Sequence, residues 1–312
     1  MDSFMFSLNA TMPVFLVMVC GYVFRQMNLI NDNFAEVADK LVFNVALPVY
    51  VFQDIAGCDL KADLSPKFAL FCAGATCAFF FGTWILSEVF IKDKNEIGSF
   101  VQGAYRGSAA VLGIAFAENI YGDAGMVPAM IVASIPLFNI FAVIILSRSD
   151  KNNASLKPGR LLINILKNPI LVGIFAGIPF AILQVDFPPI VDKTLGSIGA
   201  LSTPLALISI GASFMGSEAI SKIKLTVVAS VVKLVVIPAI FLPIAVWMGF
   251  RDAHLLAITI LLGAPSTVSG YIMAKNMNND YVLSSNIVVA TTLFSSVSIT
   301  AIIYILRALA LI

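Results

Sequence analysis

Two short stretches carry the residue types from which an anion site can be built. One is GAPSTVSG, Gly263 to Gly270, which sets Pro265, Ser266, Thr267 and Ser269 inside an otherwise apolar run. The other is RGSAAVLG, Arg106 to Gly113, which contains Gly107 and Ser108. A proline removes a backbone donor and clashes with the preceding helical turn. A helix broken at such a point presents free N–H groups and about half a positive charge at the start of its second half. The hydroxyls add donors, and Arg106 adds a guanidinium suited to a planar carboxylate. The chemistry these residues offer is recognition of a small anion.

Catalysis finds no comparable set. The chain has no HExxH, no paired acids at mid-span and no Ser/His combination, and its one histidine, His254, lies at the edge of an apolar run. Cys20, Cys58, Cys72 and Cys77 form no CxxC pair and read as apolar thiols. The reading is a protein that is not an enzyme, with no metal and no cofactor.

The elements that must hold these residues are membrane helices. Of 312 residues, 59% are hydrophobic and 12% charged, about half the charged fraction of soluble domains. Mean hydropathy is +0.96. The partner is therefore a lipid bilayer, and a net charge of +1 gives no basic surface for nucleic acid. The opening MDSFMFSLNATMP lacks a basic leader region, so the first apolar stretch is expected to stay in the mature protein. Stretches long enough to cross a bilayer fall at 8–27, 41–57, 68–91, 99–120, 125–147, 162–184, 195–215, 225–249, 253–275 and 282–306. Twelve basic residues lie on the side of the loop 148–160 and five on the other. By the positive-inside rule that loop is cytoplasmic and both termini are outside.

The two halves repeat. Met12-Pro13 answers Asn168-Pro169, Gly21 answers Gly177 and Pro48 answers Pro204, all at a shift of 156. AENIYGD answers AKNMNND, and RGSAAVLG answers GAPSTVSG, at 157. Units of five spans, 1–147 and 161–312, must enter the membrane from opposite sides. The architecture expected is all-α, two inverted five-helix repeats whose broken helices 4 and 9 cross near the midplane. A Gly/Pro/Ser cluster also serves close packing or a simple kink; its recurrence at matching positions favours a break.

The candidate site is Arg106, Gly107, Ser108, Pro265, Ser266, Thr267, Ser269 and Asn44. Arg106 stands about seven residues into its span, roughly 10 Å deep; it either meets the ligand or extends its long stem to the surface. Lys233 is as deep and is assigned to support rather than contact. Asn44, four residues before Pro48, either faces the site or packs. Asn139 and Asn286 are placed to hydrogen-bond the crossing backbone, with Pro48 and Pro204 as further supports. Glu118 and Lys275 read as interfacial. Asp54, near the outer end of its span, is the one acid available to a coupling ion.

Five stretches together carry a family resemblance: FNVALPVYVF, YRGSAAVLGIAFAENIYGD, KNPILVGIFAGI, STPLALISIGASF and GAPSTVSGYIMAKNMNND. They resemble the auxin efflux carrier family, which includes plant PIN-type carriers and bacterial malate permease-like proteins. The resemblance implies an NhaA-like, bile-acid-symporter-like fold, with a scaffold of spans 1, 2, 6 and 7 and a transport unit of spans 3–5 and 8–10. It implies secondary active transport of a small organic anion by an elevator mechanism. A coupling proton or sodium and a homodimer through the scaffold go with it. Ser108 stands where the family often has an Asn, and Gly113-Ile114-Ala115 where it often has Gly-x-Pro. Arg106 and the short central loop look like the bacterial branch, hence the inner membrane and a mono- or dicarboxylate such as malate rather than an auxin-like acid. The alternative is a membrane sensor that keeps the fold and binds ligand without translocating it.

Overall fold

The computed structural model of the chain describes residues 2–57, 65–109, 116–117, 120–122, 125–150, 163, 166–185, 187–213 and 220–312. Among these, helix is the regular structure, and the one β-type feature is an isolated bridge between Gly107 and Ser266. The first half contains α1 (Asp2–Gln26), α2 (Asp32–Leu41), a π-helical turn (Val42–Ala46), α3 (Leu47–Ala56), α4 (Pro66–Phe90), α5 (Lys94–Tyr105) and α6 (Val127–Ser149). The second contains α7 (Pro169–Leu183), α8 (Pro189–Ala200), α9 (Ser202–Ala212), α10 (Ile223–Val231), a second π-helical turn (Val232–Val236), α11 (Ile237–Trp247), α12 (Asp252–Gly263), α13 (Ser269–Asn276) and α14 (Tyr281–Ala308).

Five of these are long and apolar enough to cross a bilayer: α4, α6, α8 continued by α9, α10 continued by α11, and α14. With the apolar composition they make this an integral membrane protein. The helix expected at 41–57 begins earlier, at Asp32, because Asn31 caps it by accepting from the Phe34 N–H at 2.9 Å. Asp32, Glu36, Asp39 and Lys40 had removed this first segment from any apolar run. The helix expected at 195–215 likewise begins early, at Pro189, and is interrupted at Leu201. Asp93, Asn168 and Asp280 cap α5, α7 and α14 in the same way as Asn31.

Both π-helical turns stand just before a proline in the second position of the next helix, Pro48 and Pro238. A proline ring clashes with the carbonyl four residues back. The chain relieves this by widening one turn: the N–H of Leu47 reaches Val42 O and that of Ile237 reaches Val232 O, five residues back. The second of these wide turns carries Lys233.

Helix packing places these turns. α1 lies along α9 and α14, α3 along α7 and α8, and α4, α5 and α6 pack on one another. Glycines allow close approach at two of these helix pairs. A Cβ on Gly173 of α7 would stand 2.5 Å from the carbonyl oxygen of Pro48 in α3. Gly21 of α1 faces the Ile208 backbone of α9 so closely that a Cβ there would overlap it. An aromatic cluster fixes the end of α5: Phe80 stacks on Phe141 at 4.3 Å, Tyr105 meets Phe80 edge-on at 5.0 Å, and the Tyr105 hydroxyl donates to Phe138 O at 2.7 Å.

Candidate functional site

α12 stops at Gly263 because Ala264 precedes Pro265. A residue before proline is pushed out of the helical region, and Ala264 is extended (φ −60°, ψ 143°). Helix resumes at Ser269. α5 stops at Tyr105, and Arg106 is extended in the same manner (φ −84°, ψ 128°). No proline enforces this second break. The two extended segments pair with each other instead: Gly107 bridges Ser266, and the Ser108 N–H donates to Pro265 O at 2.8 Å. The Ser266 hydroxyl donates to Gly103 O, and its N–H donates to the Thr291 hydroxyl of α14 at 3.0 Å. Irregular backbone at this depth thus has its groups satisfied by protein. Beyond Ser108 the chain is helical again at Ala109; Gly113, Ala115 and Glu118 lie outside the described residues.

Two helix C-termini meet at the crossing, and one ammonium serves both. Lys233 is fully buried. Its Nζ donates to Leu262 O at 3.1 Å and to Tyr105 O at 3.3 Å. Partial negative charge gathers at helix C-termini, so a cation is favoured at this point. Gly107 leaves room for it: a Cβ there would be 3.0 Å from Lys233 Nζ and 3.1 Å from Ala264 O. Lys233 does not line the cavity described next.

On the other side of the crossing lies a cavity of about 100 Å³, large enough for several waters. The crossing contributes Arg106, Gly107, Ser108, Ala109, Thr267, Val268 and Ser269; α3 contributes Leu47, Tyr50, Val51 and Asp54; α6 contributes Ile135, Phe138 and Asn139; α9 contributes Ser202 and Thr203. Arg106 is only 6% exposed, so it does not reach for the membrane surface. One guanidinium nitrogen donates to Asn139 Oδ1 at 2.6 Å and the other to Met273 Sδ at 3.0 Å, both neutral. None of the ion pairs among the described residues involves Arg106. A buried cation held by neutral groups favours an anionic ligand.

Five of the residues singled out in the sequence, Arg106, Gly107, Ser108, Thr267 and Ser269, therefore share one cavity wall. Ser266 and Pro265 build the crossing but do not line the cavity. Asn44 is exposed on the widened turn before Pro48 and donates to Lys40 O at 2.8 Å, away from the cavity. Asn139 orients the guanidinium rather than the crossing backbone. Asn286 is buried on α14 off the cavity; further along the same helix the Thr291 hydroxyl accepts from the Ser266 N–H. Pro48 and Pro204 sit in α3 and α9 outside the lining. Tyr50, Ser202, Thr203 and Met273 had no signal of their own, since each is an ordinary helix residue until folding brings it to this place.

Charged groups at the ends of these helices tie them together. Lys275, at the end of α13, pairs with buried Asp39 of α2, and the Tyr271 hydroxyl donates to the same carboxylate at 3.4 Å. Lys222, just before α10, pairs with Glu96 of α5 at 2.6 Å and with Asp280 before α14 at 2.7 Å. Partial burial alone lowers the Lys222 pKa, but the hydrogen bonds and charges of Asp280 and Glu96 outweigh it and hold the ammonium above the ordinary lysine value.

Helices broken at a shared point, with their ends satisfied inside protein and a cavity beside them, belong to proteins that pass solutes through membranes. Comparison of the sequence agrees. It is 22% identical over 284 residues to an uncharacterized transporter, YfdV, of Escherichia coli, covering 88% of this chain and 89% of that one. An uncharacterized transporter of Methanocaldococcus jannaschii is 20% identical over 306 residues, covering 93% and 96%. Another, of Methanothermobacter thermautotrophicus, is 21% identical over 305 residues, covering 95% and 97%. Residues 6–303 match the family described as "Membrane transport protein", and the chain belongs to that family, the auxin efflux carriers.

Proposed function

We propose that the protein is a secondary active transporter of a small organic anion, a mono- or dicarboxylate, which it moves by elevator-type alternating access. The observation that carries this reading is the Arg106 guanidinium, buried on the wall of a cavity beside the crossing of two interrupted helices. A ligand carboxylate takes the donors of Arg106 and meets the hydroxyls of Ser108, Thr267 and Ser269. The positive end of α13, which starts at Ser269, acts in the same direction.

Packing supports the inverted repeat behind alternating access. Under the repeat, span 1 corresponds to span 6 and span 2 to span 7. The contact of α1 with α9 then maps onto the contact of α7 with α3, and both are close helix pairs. Gly21 and Gly177, matched in the sequence, each stand at one of these two contacts. These four helices form the scaffold in this proposal, and α4–α6 with α10–α14 form the moving unit. The sidedness is supported by Lys40, Lys222 and Lys275, which border adjoining cavities at one end of the bundle. Lys67 and Arg251 gather with the Met248–Phe250 turn at the other. In this proposal the lysine-rich end and the loop after Ser149 are cytoplasmic and both termini lie outside. A proton or sodium gradient drives the cycle.

The test is uptake of labelled carboxylates by proteoliposomes, with and without pH and sodium gradients, for the wild type and Arg106→Gln. Loss of a charge-assisted pair is expected to weaken uptake more than about tenfold while the protein still folds. Undiminished uptake by Arg106→Gln refutes the assignment of Arg106. Binding without flux would identify a sensor instead of a carrier.

A further inference from the structure

We propose that the groove between α11 and α14 is a phospholipid site, with an acyl chain lying along the groove and the phosphate held at Arg251. The site is on the lipid-facing side of the bundle and is independent of the transported substrate.

The groove exists because two spans part. α10 and the π-helical turn after it pack along α14, whereas α11 leaves α14 and packs on α12. The parting begins at the widened turn before Pro238. It opens a groove of about 560 Å³. Leu234, Pro238, Leu242 and Leu306 form its buried floor, and Ala239, Pro243, Ala301 and Ile305 its exposed rims. The remaining lining side chains are hydrocarbon too, except Ser298, whose hydroxyl donates to Ser295 O on its own helix at 3.3 Å. From Leu234 to Val246 the groove runs about 18 Å at helical rise. One leaflet of the bilayer core is about 15 Å deep, so an extended acyl chain of that leaflet fits along it. The floor backs onto the crossing: a Cβ on Gly263, where α12 stops, would lie 3.8 Å from Ile302 and 3.9 Å from Pro238. A chain filling the groove therefore packs against the layer behind the site and stabilises it.

The mouth of the groove supplies the headgroup contact. Trp247, 86% exposed, follows Val246, and Tyr304, 73% exposed, stands on α14. Exposed aromatic rings of this kind sit at the level of lipid headgroups. Arg251 lies at that level. One of its guanidinium nitrogens donates to Val246 O at 2.8 Å and to Phe250 O at 2.7 Å, which fixes the group beside the lining residue Val246. None of the ion pairs among the described residues uses Arg251. A guanidinium has five N–H donors, so others remain for a phosphate. The mouth also carries one acid, Asp252, whose N–H donates to Leu311 O at 2.9 Å. Lys67, which donates to Met248 O, and Arg307, in the last turn of α14, keep this end cationic. An apolar slot of one chain's length with a cation at its headgroup end matches a phospholipid. A second copy of the protein would need a broad face instead.

The experiment uses the purified full-length protein, stripped of lipid in detergent, and reads binding by native mass spectrometry and by thermal shift. The ligands are dioleoyl phosphatidylglycerol, dioleoylglycerol and glycerol phosphate, which offer chain with phosphate, chain alone and phosphate alone. Phosphatidylglycerol is expected to bind and to raise the melting temperature. Its affinity should exceed that of dioleoylglycerol by at least about tenfold, the worth of a hydrogen bond to a charged group. Glycerol phosphate should give no shift. Arg251→Gln is expected to bring the two lipids within about twofold. Ala239→Trp and Ala301→Trp fill the groove from opposite rims at exposed positions, so each should fold and weaken both lipids by at least about tenfold. Equal binding of the two lipids by the wild type overturns the proposal, and that comparison stands if Arg251→Gln does not fold. Undiminished binding of phosphatidylglycerol by both tryptophan variants overturns it as well. So does a wild type that binds no lipid, or one that pairs through this face, which would make a second copy the occupant.

Discussion

Lys233→Met removes the ammonium that serves both helix C-termini and keeps nearly the same side-chain shape. It leaves two carbonyl oxygens, Tyr105 O and Leu262 O, without the donor that now stands 3.3 Å and 3.1 Å away. An orphaned buried acceptor costs about 1–3 kcal/mol, so the pair costs about 2–6 kcal/mol. A Coulomb estimate agrees: half a negative charge at each terminus, about 3.2 Å from a unit charge at an effective dielectric near 20, is worth about 2.5 kcal/mol per terminus. Relief from burying the ammonium offsets part of this. A net loss of about 3 kcal/mol corresponds to a melting temperature lower by about 5 °C in detergent. Because Lys233 stands off the cavity, uptake should lose maximal rate and keep its KM. Lys233→Arg should not rescue it, since the space beside Gly107 is already filled by Nζ. A melting temperature within about 1 °C of the wild type, together with undiminished uptake, would refute the reasoning.

Two further substitutions probe the frame around the site. Gly173→Ala puts a Cβ 2.5 Å from Pro48 O; α7 and α3 must move apart, at a cost of about 1–3 kcal/mol read as a lower melting temperature. Gly74→Ala on α4 meets nothing within 4 Å and should hold or raise the melting temperature, by up to about 1 kcal/mol of helix propensity. Lys222→Gln leaves the carboxylates of Glu96 and Asp280 facing each other and should cost about 1–3 kcal/mol, between the values for exposed and buried pairs. The pH dependence of this contribution has a definite sign. Its partners raise the folded pKa of Lys222 above the unfolded one, so the stabilisation is complete below the ordinary lysine range and is lost only as pH rises through the folded value. Melting curves of wild type and variant should therefore keep a constant separation from pH 7 to about 9; a separation that closes in that range contradicts the assignment.

The membrane class, the break at Pro265 and the depth of Arg106 in its span were readable from the chain because each rests on a local property. Apolar runs show in composition, a proline always costs a donor, and a guanidinium deep in a span is conspicuous. Asn44 misled for a related reason. Its distance from Pro48 points at the site only if the helix is regular, and the widened turn before Pro48 turns it outward. Asn139 was read as a partner of the crossing backbone because an amide is an obvious donor, yet it holds the Arg106 guanidinium. Thr291 reaches that backbone, and its hydroxyl also donates to Ile287 O on its own helix at 2.7 Å, a habit of threonine in apolar helices that gives no sequence signal.

The asymmetry between the two breaks has a physical consequence for how the crossing forms. Pro265 predisposes α12 to end at Gly263 by pushing Ala264 out of the helical region, although α1, α6, α7 and α11 each continue through a proline. α5 has no such residue: Gly107 and Ser108 permit an extended backbone without demanding it. What holds the second break open is the first. Pro265 O accepts the Ser108 N–H, Ser266 bridges Gly107, and Lys233 draws the Tyr105 and Leu262 carbonyls toward one charge. The proline half therefore templates the glycine half, and Arg106 reaches the cavity wall only once the two have met. In the proposed anion site the cation is positioned by the other half of the chain, so that site would be assembled by the crossing itself. On that reading Lys233, which does not line the cavity, contributes by holding the crossing together rather than by meeting the ligand.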